Sequence, residues 1–218
     1  RGDYGTATTW VVIVVISLLV SNGVYGFTAP KVSEPVTLRI QHPSSNFPRK
    51  NEDLKNPFRT PTKEMIDGFV GEVESGDWEQ IYTDSMIALN EQIESKSVSE
   101  ATAKAAFMDR LVFEGRGLYQ KNCRPCHGTK TDGNGPMADG FKLRPINFTD
   151  NGTIETIVEG YTFWRVRNGG PGLPVEATPW DSAMPIWKKD LTDEQIWKII
   201  LAEYDVAEKM PRIPEKLE

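Results

Sequence analysis

Two cysteines and two histidines are all that this 218-residue chain has of the side chains that most readily bind metals or form cross-links. No disulfide framework remains if both cysteines serve another purpose. Basic excess is missing too: 25 Lys and Arg stand against 31 Asp and Glu, a net charge of −6, and no basic patch marks a nucleic-acid binder. The charges are spread, with 9 basic against 13 acidic residues over 28–106 and 15 against 17 over 107–218. Neither part is polarised enough to steer a distant partner. There is no internal repeat, and the length suits one ordinary domain with appendages.

Charge is absent altogether from Ala7 to Phe27, a run built on Trp10 and the apolar residues up to Val20. This is about the length a bilayer-spanning helix requires. A cleaved signal peptide would have a shorter apolar core and a small-residue cleavage site, for which Thr28-Ala29-Pro30 could be mistaken. The expectation is an uncleaved transmembrane signal-anchor over residues 1–27, in contact with lipid, with Trp10 and Tyr25 as aromatic anchors near its ends. Residues 28–63 carry six of the fifteen prolines and few apolar runs, which predicts an extended strap. Such a segment either lies along a partner or serves as a loose tether.

Residues 64–106 read as a helical linker region. Trp78, Ile81, Tyr82, Met86, Leu89 and Ile93 recur on one face of a helix over 64–95, with Asp77 as a plausible N-cap. A second helix is expected from about Ser99 to Gln120, where alanines raise the propensity. A shorter one is allowed around Ile154–Val166. The last runs from Asp193 to about Ala207, with a capping box between Thr192 and Gln195 and Leu191 stapled to Ile196.

The cysteines and one histidine fall together, in Cys123-Arg124-Pro125-Cys126-His127. Cys-x-x-Cys-His is the spacing at which two thiols add to the vinyl groups of a haem and the histidine ligates its iron. A thioredoxin-like redox pair would need a βαβ setting, and the flanks read as helix and then glycine-rich loop. A structural zinc site would need four ligands, and only His42 remains to join these three. A plain disulfide leaves the adjacent histidine unexplained.

Gly115, Tyr119 and Cys123 stand four residues apart, so a bare glycine, an aromatic and the first thiol share one helical face. Leu201 and Tyr204 on the last helix are the expected crossing residues opposite that glycine. Together these features resemble class I c-type cytochromes over about residues 107–208. The resemblance implies a mainly α chain in which helices surround one covalent haem c within residues 107–218, the transmembrane helix, strap and extra helices being added. It also implies attachment outside the cytoplasmic membrane of a bacterium: a single-pass protein with the haem domain on the periplasmic side.

Met184, in Ser182-Ala183-Met184-Pro185 just before the final helix, stands where that family holds its second axial ligand. Met137 and Met210 are less suitably placed, and His42 would make a bis-imidazole haem from within the strap. A proximal histidine normally gives its other ring nitrogen to a carbonyl, for which Pro136 and Pro145 are candidates. Asp132-Gly-Asn-Gly-Pro136 and Pro145-Ile-Asn-Phe148 resemble a bacterial monohaem subgroup with a Gly-Asp-Gly-Pro loop, here with Asn134 for the usual Asp. Arg165 and Arg167 could approach a haem propionate, although a solvated surface explains them as well. Asn147 and Asn151 begin glycosylation triplets to which no role is assigned.

The function expected from all this is one-electron transfer, with no catalytic residue. The appendages exceed what a free carrier needs, which points to a subunit among other subunits of a membrane electron-transfer complex, exchanging electrons with a soluble carrier. The plan resembles monohaem subunits of respiratory or photosynthetic complexes such as the quinol-oxidising alternative complex III. A haem enzyme, peroxidase or sulfur-oxidising, and a haem sensor are the other classes; each would leave the sixth site open.

Overall fold

The apolar run forms helix α1 (Asp3–Thr28), in which Gly5–Tyr25 has a mean hydropathy of 2.0 and is long and apolar enough to cross a membrane. Its large side chains from Trp10 to Tyr25 are exposed, and a helix apolar all round calls for an apolar surrounding. Thr8 and Thr9 return their hydroxyls to the Gly5 carbonyl (3.1 and 2.7 Å), so they present little free polarity. The computed structural model describes residues 3–28, 55–76, 81–170 and 182–212, in two units, Arg1–Arg39 and Ile40–Glu218. His42, Asp77, Trp78 and most of the strap lie outside the described residues.

The second unit is helical, with no strand among the described residues. Its helices are α2 (Lys63–Ser75), α3 (Asp84–Glu94), α4 (Glu100–Asn122), α5 (Arg124–His127), α6 (Glu159–Asn168) and α7 (Asp193–Val206). One helix was expected over 64–95, but Gly76 closes α2 with φ 76°, a left-handed cap where glycine carries no steric cost. Thr83 then opens α3 by accepting the Met86 N–H (3.3 Å). Ile81, Met86 and Leu89 are buried as their spacing suggests, whereas Tyr82 is 81% exposed and leaves the expected face. The strap's last residues dock on the core of their own unit. Phe58 packs edge-on to Phe107, while Arg59 forms a part-buried pair with Glu159 (2.9 Å).

α4 and α7 make the largest contact of the unit, because each buries a wide stripe. Ala103, Ala106, Phe107, Leu111, Gly115 and Tyr119 are buried on α4, and every residue from Ile199 to Tyr204 on α7. The helices cross at Gly115, where an added Cβ would come within 2.6 Å of the Lys198 carbonyl carbon and 3.2 Å of the Ala202 methyl. Lys198 and Ala202 therefore hold the position expected of Leu201 and Tyr204, which lie in the core. Lys198 clamps the crossing by pairing with Glu114 and Glu194 (both 2.7 Å). Phe163 of α6 stacks on Trp197 with centroids 4.0 Å apart, fixing α6 against α7.

Both halves of the expected capping box are present at the start of α7: the Gln195 N–H donates to the Thr192 hydroxyl (3.2 Å), and the Gln195 side chain accepts the Thr192 N–H (2.9 Å). Replacing Thr192 with alanine leaves the Gln195 N–H without its acceptor. It should lower unfolding free energy by about 1 kcal/mol in denaturant titration, and no loss would mean the cap is dispensable.

Candidate functional site

Cys123 ends α4, and Arg124 to His127 follow as the single turn α5, because Pro125 suits the first turn of a helix and needs no partner for a missing N–H. The His127 N–H donates to the Cys123 carbonyl (2.9 Å), closing the turn that carries both thiols and the imidazole. Neither cysteine is in a disulfide; Cys123 is buried and Cys126 half-buried. Burial raises both thiols above their ordinary range, with Glu203 adding at Cys123.

The next loop folds back under this turn. Gly133 donates to the His127 carbonyl (2.9 Å), Gly135 to that of Cys126 (3.2 Å) and Met137 to that of Pro125 (2.9 Å). Gly135 fits only without a side chain, since a Cβ there would stand 2.6 Å from both Arg124 and Cys126 backbone atoms. Tyr119 on α4 donates its buried hydroxyl to the Gly128 carbonyl (2.7 Å), tying the helix to the loop. Asn134 accepts from Arg144 (3.1 Å) and donates to Asp132 (3.3 Å), so it knits the loop with a neutral amide.

The His127 ring lies parallel to Phe148, centroids 5.6 Å apart at 8°. Phe148 is held there by donating its N–H to Thr131 (2.9 Å), a buried residue at φ 60°, where a β-branched side chain is rarely found. Burial, with the Arg165 guanidinium adding, pushes the imidazole down to about 4, which keeps it neutral and able to ligate a metal at physiological pH. Its Nδ1 is buried without a hydrogen-bond partner, so neither candidate carbonyl receives it. The Pro145 carbonyl instead lies against Gly133, 2.5 Å from where a Cβ would be, and Pro136 is exposed beyond the turn.

Met184 lies on a separate segment, tied by its backbone to the residues after α6. Gly170 donates to the Met184 carbonyl (2.8 Å), and a Cβ on Gly169 would stand 2.7 Å from the same oxygen. Arg165 on α6 bonds the Gly169 carbonyl and the Ser182 hydroxyl (2.7 Å for the latter). The charge of Arg165 also disfavours protonation of His127, second to burial. Met184 itself is half-buried against the core. Arg167 faces away and pairs with Asp193 (2.8 Å). The sequence offers Arg165 as a propionate partner or a surface arginine and Phe148 as part of a motif, because nothing local signals what a side chain meets across the fold.

Among the described residues no three His, Cys, Asp or Glu converge to hold a metal ion alone, so two thiols and one imidazole are too few for a closed zinc site. Unbridged thiols on one turn, a neutral imidazole beside them and an orphaned ring nitrogen fit a haem attached through both sulfurs. Residues 111–201, under half of the chain, match the family model described as cytochrome c oxidase, cbb3-type, subunit III. No curated protein matches the chain, and no solved structure does. The matched segment is thus similar to a c-type cytochrome domain, a kind of domain that serves electron transport with covalently bound haem c.

Proposed function

We propose that this chain binds a single haem c, through thioethers to Cys123 and Cys126 and axial bonds to His127 and Met184, and transfers one electron at a time as a membrane-anchored subunit. The observation that carries this reading is the pairing of an unbridged Cys-x-x-Cys-His turn with a methionine segment pinned to α6. When bound, the haem supplies an iron that accepts and releases one electron. The residues do the rest. His127 offers a neutral nitrogen, Phe148 orients its ring, and Gly169 and Gly170 hold the Met184 backbone in place. A thioether opposite an imidazole raises the potential, as electron carriers require. The helix crossing at Gly115 supports a class I arrangement.

The span Gly5–Tyr25 supports a single transmembrane anchor, with the domain on the periplasmic side of a bacterial membrane. The proposed host is a quinol-oxidising complex of the alternative complex III kind, from which a soluble carrier takes the electron. The matched family is itself named for an oxidase subunit, in keeping with a subunit role. Isolation in mild detergent should bring quinol-oxidising subunits with the chain; a haem-copper oxidase in their place would overturn the host assignment.

Carbon monoxide tests the transfer reading. With both axial positions filled, the reduced native protein is expected to show a low-spin spectrum that the gas leaves unchanged. Met184→Ala should open one position and convert that spectrum to a gas-bound form. Native protein that already binds carbon monoxide would favour a haem enzyme or sensor instead.

A further inference from the structure

Glu203 places a carboxyl in the middle of the buried face of α7, between Ala202 and Tyr204. It is only 4% exposed, and its Oε2 is buried without a hydrogen-bond partner. An apolar side chain of that size would avoid the cost of burying an unpaired acid, so the fold alone gives no reason for a carboxyl here. The titratable groups that face it are Tyr119 and Cys123 from α4 and its own neighbour Tyr204. From α6, Glu159 with its Arg59 partner acts on Tyr204. Of the cations on the crossing helices, Lys198 pairs with Glu114 and Glu194, Arg110 with Glu72 and Glu114, and Arg116 with Asp205. Burial is what acts on Glu203, and it pushes the carboxyl up to about 8.

We propose that Glu203 is a proton-binding site coupled to the oxidation state of the haem, taking up a fraction of a proton, at most about half, with each electron the chain accepts. This rests on the haem reading above, because the coupling acts at Cys123, one of the two anchoring sulfurs. The step balances. An electron enters from a one-electron donor protein, a proton from bulk water adds to a Glu203 carboxylate oxygen, and both leave when the acceptor protein is reduced. Tyr119, bonded to the Gly128 carbonyl, and Ile199, fully buried beside it, keep the setting dry, so a change of one charge nearby is weakly screened. A unit charge roughly 10 Å away at an effective dielectric constant of about 20 alters proton affinity on the order of tenfold.

The sign follows from the charges. Ionised Glu203 favours the oxidised, more positive site, so the reduced protein holds the proton more tightly and the midpoint potential falls as pH rises through the window bracketing about 8. A tenfold difference in proton affinity corresponds to a total fall of about 59 mV for a one-electron step. Redox titration of the full chain in detergent, from about pH 6 to about pH 10, should show that fall. Glu203→Gln should lose it, while Glu203→Asp keeps it over a displaced window. Infrared difference spectra should gain a protonated-carboxyl band on reduction in the native chain, absent from Glu203→Gln. A flat native curve, a fall that survives in Glu203→Gln, or a missing native band overturns the coupling. Haem absorbance in the same cell separates the two readings: its absence overturns both, whereas a haem that titrates with a flat curve overturns the proton site alone.

Discussion

Replacing Cys123 and Cys126 together with serine is expected to give a polypeptide that retains no porphyrin once denatured, whereas the native chain keeps it through boiling in detergent. The loss should be complete rather than graded, because only covalent bonds survive unfolding and these are the chain's only two thiols. Either single replacement leaves one thioether and should reduce the retained haem without abolishing it. Haem staining after denaturing electrophoresis and intact-mass measurement read the result directly. Porphyrin that remains on the double variant would show that attachment is not through these sulfurs. The change is mild for the polypeptide itself: the main core, from Phe58 through Trp197 to Ala207, does not include Cys123 or Cys126, and circular dichroism of the variant should still report helix.

Gly115→Ala should destabilise the domain by about 3 kcal/mol or more, a large share of the 5–15 kcal/mol typical of a folded protein. The added methyl would meet the Lys198 main chain, which cannot turn aside as a flexible side chain can. α7 must move away, taking the Trp197 stack and the Lys198 ion pairs with it. Gly117, two residues further along the same helix, has nothing within 4 Å of an added Cβ, so Gly117→Ala should stabilise by about 1 kcal/mol through helix propensity alone. Opposite signs from one substitution at neighbouring positions, measured by denaturant unfolding of the haem-loaded protein, would establish the crossing. Equal effects would sink it.

The sequence disclosed whatever depends on neighbours along the chain. The capping box at Thr192, the alanine-rich rise of α4 and the Cys-x-x-Cys-His turn all express physics within a few residues. It disclosed less wherever the deciding partner is remote. Periodicity placed Gly115 on a crossing face, but the residues opposite it are Lys198 and Ala202 rather than the expected Leu201 and Tyr204, two or three positions along the same helix. A helix over 64–95 fitted the apolar spacing, yet Gly76 ends it, because a glycine at the right offset outweighs a weak periodic signal. The Pro136 and Pro145 carbonyls stood at sensible separations from His127, but the loop turns Pro145 onto Gly133. Nothing local marks the burial of Glu203, since acids are usually exposed; only packing on α4 reveals it.

The bond from Gly170 to the Met184 carbonyl also bears on how this protein can diverge. That bond joins main-chain groups of Gly170 and Met184, and the backbone of Gly169 lies against the same carbonyl, so the hold on the methionine's segment involves no side chain of its own. Side chains around this fastening can therefore change in descendants of the chain without loosening the hold on the methionine's backbone.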